Sequence, residues 1–427
     1  MTSSPPPQHR APLMSLDDAL ASVLAHALPL HATETVATFD ADGRVLAQDL
    51  VSALQVPPND NSSMDGYALR AADVTEAGKV LPVTQRIAAG HASEPLEPGT
   101  CARIFTGAPM PAGADAVVMQ EDTIEVGGNI HGVHIQAVPQ AGQWVRRAGE
   151  DVTRGAVVLS KGERLSPASL GLAASLGLAH LSVVARPRVA LFSTGDELVM
   201  PGEVAPEAMR PGAIYNSNRF FLRALLRRMG CEVSDLGIVP DRREATLAAL
   251  KTAADHHDLI LTSGGVSVGE EDHIKPAVQQ LGSLDLWQIA MKPGKPFAYG
   301  TVQRDAGAGP AAAESCHFIG LPGNPVSSFV TFLLLVRPFL LRLQGVETKA
   351  LKTTTLPAHF TLNKAEKRRE FLRVRRNAAG GLDLFPNQSS GVLTSAVWAD
   401  GLVDNPAGNT IAHGDPVSFI SFSDLIA

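Results

Sequence analysis

At 427 residues and 45% apolar composition the chain is globular, and at about 100–200 residues per domain it should hold about three domains. A formal net charge of −7 argues against a nucleic-acid-binding surface, and three dispersed cysteines, Cys101, Cys231 and Cys316, make no metal-spacing motif and fit reduced thiols in the cytoplasm. The Ser/Pro-rich lead at 2–12 is predicted to be disordered and not a signal peptide, and the apolar run at 326–336 stops at Arg337-Pro338, too short to cross a membrane.

Ser15 opens a predicted helix, with Asp18 at the capping-box position and Ala19, Leu20, Val23, Leu24, Ala27 and Leu28 on one face. Short β-like runs follow at 35–39 and 45–46. From 55 to 144 prolines and glycines punctuate apolar stretches at 81–83, 102–105, 116–119 and 133–138, which predicts a small all-β domain inserted between flanking linker segments. Ser166-Pro167 starts a helix that Gly177 can close. From 187 the texture is α/β. Strands at 189–192, 233–239, 259–261, 286–290 and 318–319 alternate with helices at 218–229, 242–254, 274–281 and 326–343. This predicts a parallel, doubly wound sheet that binds ligands beyond the carboxyl ends of its strands. The Ala/Gly-rich stretch 301–315 reads as a surface loop, and strands at 370–375, 382–385 and 417–422 make a terminal β domain. The divisions are therefore 12–54 with 145–186 (discontinuous linker), 55–144 (inserted β), 187–344 (α/β) and 345–427 (C-terminal β).

The stretch DLILTSGGVSVGEED at 258–272 carries the most chemistry. A buried strand ends in Ser263, Gly264, Gly265 and Ser267, where glycines let backbone N–H groups converge on an anion and hydroxyls add donors. Glu270, Glu271 and Asp272 would repel a bare phosphate, so they point to a divalent cation between carboxylates and phosphate. Other loops load the same predicted sheet edge: Ser193, Thr194, Gly195, Asp196 and Glu197; Asp241; Lys292 and Lys295, stiffened by two prolines; and Pro322 to Pro325 before the long helix. Each acid alone also reads as a helix cap or first-turn acid, and convergence is what favours a site. Asp65, between Met64 and Gly66, reads on spacing alone as a turn residue. The pairs His131/His134 and His256/His257 lack further metal ligands, and the basic run from Lys364 to Arg376 reads as a solvated edge strand. No GxGxxG, Walker A or GxSxG motif is present.

With these loops in hand the chain resembles the molybdopterin molybdenumtransferases of the bacterial MoeA type, related to the E domain of gephyrin. The motifs, in order, are MSLD at 14–17, DNSSMDGYA at 60–68, FTGAP at 105–109, GED at 149–151, FSTGDEL at 192–198, TSGGVSVG at 262–269, KPGKPF at 292–297 and GLPGNPVS at 320–327. The resemblance implies an α/β molybdopterin-binding domain, an inserted β domain, an elongated linker domain and a small C-terminal β-barrel, in an elongated homodimer. It implies insertion of molybdenum from molybdate into adenylylated molybdopterin with Mg²⁺ and release of AMP. The site would form between the α/β domain of one subunit and the inserted β domain of the other. That places Asp65 and Thr106 at the ligand and reverses the turn reading of Asp65. Glu197, Asp241 and Asp272 match the family's acids, Asp151 a linker motif, Lys292 and Lys295 its oxyanion-side lysines, and Pro322 and Pro325 its proline pair. Asp65, Asp272, Lys292 and Lys295 are the expected catalytic residues, and Asp241, Asp272 and Glu197 the expected metal ligands. Gln288 stands where some bacterial relatives carry Lys, and Ser63 replaces a commoner Ala without expected consequence. Two rivals are a molybdopterin adenylyltransferase, which is also a possible partner, and a non-catalytic scaffold. The inserted β domain argues against the first and the lack of a fused module against the second.

Overall fold

Residues Arg188–Thr194 point their side chains alternately to two apolar layers, and this alternation organises the α/β unit. Val189 and Leu191 face one layer, Ala190 and Phe192 the other. The structure, a computed structural model, describes residues 13–127, 131–265, 273–305, 314–347 and 350–426. These fall into two units, one of residues 13–34 and 184–426 and one of residues 35–183.

In the first unit six strands form the central sheet: β1 (Arg188–Thr194), β2 (Glu232–Val239), β3 (Leu259–Ser263), β4 (Gly282–Gln288), β5 (Pro296–Gln303) and β6 (Ser315–Leu321). Their spatial order is β2-β1-β3-β6-β5-β4. β2, β1, β3 and β6 are parallel, and β5 runs antiparallel to both β6 and β4. The expected parallel sheet is thus mixed. The reason is local: the Lys292–Pro296 loop turns the chain straight back, so β4 and β5 pair as a hairpin, with Gln288 opposite Pro296. Residues 301–303, expected in a loop, complete β5. Because β4 is parallel to the four remaining strands, its carboxyl end still lies on the same sheet edge as theirs.

One face is covered by α1 (Leu16–His26), α2 (Asn218–Arg228) and the helical run α5 (Pro325–Leu343). Ser15 caps α1 as expected, accepting from the Asp18 N–H at 3.0 Å. On α2, Leu222, Leu225 and Leu226 are buried at helical spacing, each contributing about 1.5–3 kcal/mol of burial. The other face is covered by α3 (Arg243–His256) and α4 (Ile274–Leu281), through Leu250, Ala253, Ala277 and Val278. Among the described residues α5 alone is long and apolar enough to cross a membrane, and 78% of its most apolar window is buried in this core. It passes Pro338 without breaking, because residues Phe332–Val336 wind as a wider π-type turn just before the residue that lacks an N–H.

The carboxyl-terminal sheet orders Met291–Lys292, Arg369–Arg376, Gly401–Asn405, Pro416–Ser421 and Thr354–Pro357, with Leu382–Leu384 also on Arg369–Arg376. The basic run is therefore no solvated edge strand. Arg369–Arg376 is paired on both sides, and its arginines each have a partner. Arg369 meets Asp404 at 2.6 Å, and Arg375 and Arg376 lie over the Trp398 and Phe419 rings. Phe422, expected to end the last strand, begins the short helix Phe422–Ile426.

In the second unit a six-stranded sheet orders Ala116–Met119, Gly66–Leu69, Cys101–Ile104, Lys79–Ile87, Gly132–Ile135 and Thr123–Val126. Side chains again alternate between layers, Tyr67 and Leu69 to one and Ala68 to the other. A separate cluster forms around Leu46, Leu159, Leu165 and Val183, with the helix Pro167–Ser175 starting at its Ser166 cap. All three cysteines are buried, and none forms a disulfide.

Candidate functional site

In the first unit a cavity of about 460 Å³ and one of about 740 Å³ adjoin the carboxyl edge of the sheet. The larger lies where the parallel strands end. Thr194, Gly195 and Glu197 come from the loop after β1, Asp241 from the loop after β2, and Ser263, Gly264 and Gly265 from the end of β3. Pro322 comes from the loop between β6 and α5, and Pro325 is the first residue of α5. Nine of the expected residues thus line one space.

Glycine is needed at two of these positions. Gly265 has φ +69°, and a Cβ there would collide with the Ile274 side chain and sit 3.1 Å from Thr194 Oγ1. At Gly195, φ +137°, a Cβ would meet the Glu197 carboxylate at 2.7 Å, so the glycine lets Glu197 fold back over the loop. The loop after β3 and the loop before α5 are tied by Asn218, the first residue of α2. Its Nδ2 donates to Ser263 Oγ and to the Gly323 carbonyl, both at 2.7 Å. The Gly264 N–H donates to Leu321 O at 3.1 Å. The amino end of α5 borders the cavity through Pro325 and Ser327, where the helix dipole favours an anion.

Ser193 is 1% exposed and lies beneath the cavity, with its hydroxyl buried and unpartnered among the described residues. Lys292 and Lys295 are partly buried on the loop after β4, and Pro296 beside them lines the cavity. Lys292 is already paired, with Glu370 at 3.0 Å and Glu366 at 3.4 Å. Lys295 has no ion-pair partner among the described residues. Gln288 ends β4, exposed and opposite Pro296. Ser267 and Asp272, with Glu270 and Glu271, lie outside the described residues, as do the lead at 2–12 and residues 306–313.

The carboxyl-terminal segment contributes what sequence reasoning missed. Arg373 is 1% exposed and fixes the chain near the cavity: Nε donates to Ser395 Oγ at 3.1 Å, Nη1 to Phe371 O and Nη2 to Ser389 O, both at 3.3 Å. Burial pushes its guanidinium down to about 10. Ser390 O then accepts the Val326 N–H of α5 at 2.9 Å, and Gly391 lines the cavity. Only a buried arginine amid polar neighbours signals this role, and a one-dimensional basic run hides it.

In the second unit Asp65 and Thr106 meet. Asp65 Oδ1 accepts from the Thr106 N–H and from its hydroxyl, both at 2.8 Å. The N–H bond first, then the hydroxyl, hold the Asp65 carboxyl below the ordinary carboxylate range, and the Arg103 charge adds to them. Asp151 is exposed, and its N–H donates to Val56 O at 3.0 Å. Ser63, expected to be neutral in effect, donates its hydroxyl to Trp144 O at 2.9 Å. That oxygen belongs to a non-glycine residue at φ +55°.

Among the described residues no three His, Cys, Asp or Glu side chains gather to hold a metal. His134 and His257 lie against the carbonyls of Gly78 and Ala253, at 3.1 and 2.8 Å. Glu197 and Asp241 do share the cavity, and two carboxylates suit a hard cation that takes its remaining oxygens from water and phosphate.

Three family models match the chain in series: the MoeA N-terminal region (domain I and II) at 14–177, a probable molybdopterin binding domain at 190–342, and the MoeA C-terminal region (domain IV) at 355–422. A molybdopterin molybdenumtransferase of Haemophilus influenzae is 41% identical over 370 residues, 84% of this chain and 85% of that protein. Another, of Synechococcus elongatus, is 35% identical over 95% of this chain and 98% of its own. The crystal structure of the molybdopterin biosynthesis moeA protein from Pyrococcus horikoshii OT3 superposes with a TM-score of 0.81 at 27% identity, covering 96% of this chain and all of that one.

Proposed function

The chain belongs to the MoeA family, and on that premise we propose that it is a molybdopterin molybdenumtransferase. It transfers molybdenum from molybdate to adenylylated molybdopterin and releases AMP, the last step of molybdenum cofactor synthesis. The observation that carries this reading is the large cavity, where glycine loops, a helix amino end and two carboxylates meet at one sheet edge. Both substrates present tetrahedral oxyanions, phosphate and molybdate, and converging N–H groups suit either.

Releasing AMP requires that charge developing on the phosphate be neutralised. Mg²⁺ held by Glu197 and Asp241, with Asp272, would supply part of that neutralisation when bound. Ser263, Gly264 and Gly265 hold the phosphate, with Thr194, Gly195 and Ser267 alongside and Ser193 supporting the loop from below. Pro322 and Pro325 keep the opposite wall rigid. Lys295, without an ion-pair partner among the described residues, meets the incoming oxyanion, and Lys292 assists it from its pair with Glu370. In the homodimer we propose, Asp65, Thr106 and Asp151 come from the second subunit. The ionised Asp65, oriented by Thr106, positions the reacting groups there. An adenylyltransferase acting in the cytoplasm would hand over the substrate.

The test is AMP release by the purified chain with adenylylated molybdopterin, Mg²⁺ and molybdate. Oxyanion-dependent AMP release supports the reading. Consumption of ATP with molybdopterin, and no AMP release, would make the chain an adenylyltransferase instead.

A further inference from the structure

Asp65 sits where three strands of the second unit end together. It precedes Gly66–Leu69, while Phe105 and Thr106 follow Cys101–Ile104 and Gln120 follows Ala116–Met119. Register explains the gathering, because Gly66 pairs with Ile104 in one neighbouring strand and with Met119 in the other. Arg103 lies one pair further in, opposite Tyr67, and its side chain runs back to the same edge.

There the guanidinium meets all three segments. Nη1 donates to the Gly66 carbonyl at 2.9 Å and Nη2 to Gln120 Oε1 at 2.6 Å. The Gln120 N–H donates in turn to the Asp65 carbonyl at 3.1 Å. Arg103 Cζ also stands 4.7 Å from the ring centroid of Phe105, the residue before Thr106. The Asp65 backbone is thus tied to Arg103 through Gly66 and Gln120, while Thr106 holds its carboxylate.

This placement of Arg103 opposes stability. Arg86 is its register partner on the neighbouring strand, and both guanidiniums lie over Phe105, that of Arg86 at 4.5 Å. Like charges directly opposite one another repel, and neither arginine is ion-paired among the described residues. A local rule broken in this way is expected at functional sites. The beneficiary is Asp65, whose ionised form is favoured first by the two Thr106 bonds and then by the Arg103 charge.

We propose that Arg103 is a positioning residue for the transfer reaction: its forked contacts to Gly66 and Gln120 fix the backbone from which Asp65 presents its carboxylate. This rests on the reading of Asp65 as a group that meets the substrate, and Arg103 acts through it. The fork explains the choice of arginine, since a planar guanidinium reaches two acceptors at once and a lysine ammonium is a single point of charge.

The experiment measures AMP release by the full chain with adenylylated molybdopterin, Mg²⁺ and molybdate. The variants are Asp65→Asn, Arg103→Met, Arg103→Lys, Gln120→Ala and the double variant Asp65→Asn with Arg103→Met. Methionine keeps an unbranched chain against the Tyr67 and Phe105 rings, and Gln120 is exposed, so the variants should fold, which thermal unfolding checks. Arg103→Met should lower kcat about ten- to a hundredfold, the loss that misplacing a reacting group brings, and leave KM nearly unchanged. The acid limb of its rate should move upward, because a loosened Asp65 loop weakens the Thr106 bonds. Arg103→Lys and Gln120→Ala each spare part of the fork and should lose severalfold in kcat. In the Asp65→Asn background Arg103→Met should lower the rate no further. A loss that persists in full in that background would show that Arg103 acts independently of Asp65 and overturn the proposal. Native kcat in Arg103→Met or Arg103→Lys would overturn it as well. If Arg103→Met does not fold, Gln120→Ala decides by the same kcat and acid limb. Unchanged AMP release by Asp65→Asn would overturn the reading of Asp65 itself, and this proposal with it.

Discussion

Asn218 Nδ2 reaches Ser263 Oγ and the Gly323 carbonyl at the same distance, 2.7 Å, and so joins the loop after β3 to the loop before α5. The amide is buried, so removing it leaves two acceptors without their donor. Asn218→Ala should cost about 1–3 kcal/mol in thermal unfolding. Affinity for AMP should fall further than that loss of stability explains, because both loops border the cavity. A variant that unfolds earlier yet binds AMP as tightly as the native protein would show that the loops hold their shape without the amide.

Gly265→Ala tests the backbone that the loop requires. A left-handed φ costs a side chain about 1–2 kcal/mol, and the added methyl also strikes Ile274. Combining it with Ile274→Val removes the Cδ1 that the methyl meets and should recover part of the loss, but not the part owed to φ. Chemical denaturation of the two variants separates the contributions. Full recovery would mean that crowding alone made glycine necessary.

Asp65 is held ionised by the Thr106 N–H and hydroxyl. A lowered carboxyl pKa keeps the charged form present down through the ordinary carboxylate range, so Asp65 should not produce an acid limb in the rate within or above that range. Thr106→Val removes one donor and keeps the N–H, so an acid limb should move upward without reaching the level of an unassisted carboxyl. Asp65→Asn should lower AMP release by about a hundredfold, within the usual range for a catalytic proton-transfer or positioning group. The pH profiles of the two variants, taken with saturating substrate, decide between these effects.

Much of this arrangement is legible in one dimension. Val189 to Phe192 and Leu259 to Leu261 read as buried strands because parallel strands covered on both faces lose the polar alternation. The strand-end loops follow from them, which is why Thr194, Gly195, Glu197, Asp241 and Ser263 can be named from sequence and are found around one cavity. What escapes is what depends on pairing across the chain. β5 reads as ordinary apolar sequence, and only its hairpin with β4 makes it antiparallel. Arg373 is disguised by its basic neighbours, since nothing local separates a solvated arginine from one enclosed by Ser395 and two carbonyls. Asn218 hides in the same way, as a helix-start residue whose partners lie far along the chain.

His317 gives a pH test independent of the site. Its Nδ1 lies 3.0 Å from the Tyr299 hydroxyl and its ring meets Phe339 edge-on at 5.1 Å. Burial, helped by the nearby His26 charge, pushes its pKa down from 6.5 to about 4. A folded-state pKa below the unfolded one means that stability is complete above pH 6.5 and is lost as pH falls toward 4. The loss from this group approaches about 3 kcal/mol, at 1.36 kcal/mol per pKa unit. His317→Gln should flatten the dependence of the unfolding midpoint over that window, and an unchanged slope would assign it to other groups.

The two lysines of the loop after β4 should separate stability from oxyanion binding. Lys292 faces Glu370, which is 4% exposed and also accepts from Asn405 Nδ2 at 3.4 Å. Removing the lysine leaves a buried carboxylate with only the Asn405 amide as a side-chain donor among the described residues. The lysine itself is partly in water, so the cost should be about 1–3 kcal/mol, below that of breaking a fully buried pair. Lys292→Ala should therefore destabilise the fold, and adding Glu370→Gln should restore most of the loss, because the charge that needed a partner is then gone. Lys295 has no carboxylate to satisfy among the described residues, so Lys295→Ala should leave the unfolding midpoint nearly unchanged. It should instead weaken molybdate binding by about tenfold, the effect of losing one charge-assisted contact of about 1.4 kcal/mol. Unfolding and molybdate titration on the same three proteins test the division. If Lys295→Ala destabilises the fold while Lys292→Ala abolishes molybdate binding without doing so, the roles are the reverse of those the Glu370 pairing dictates.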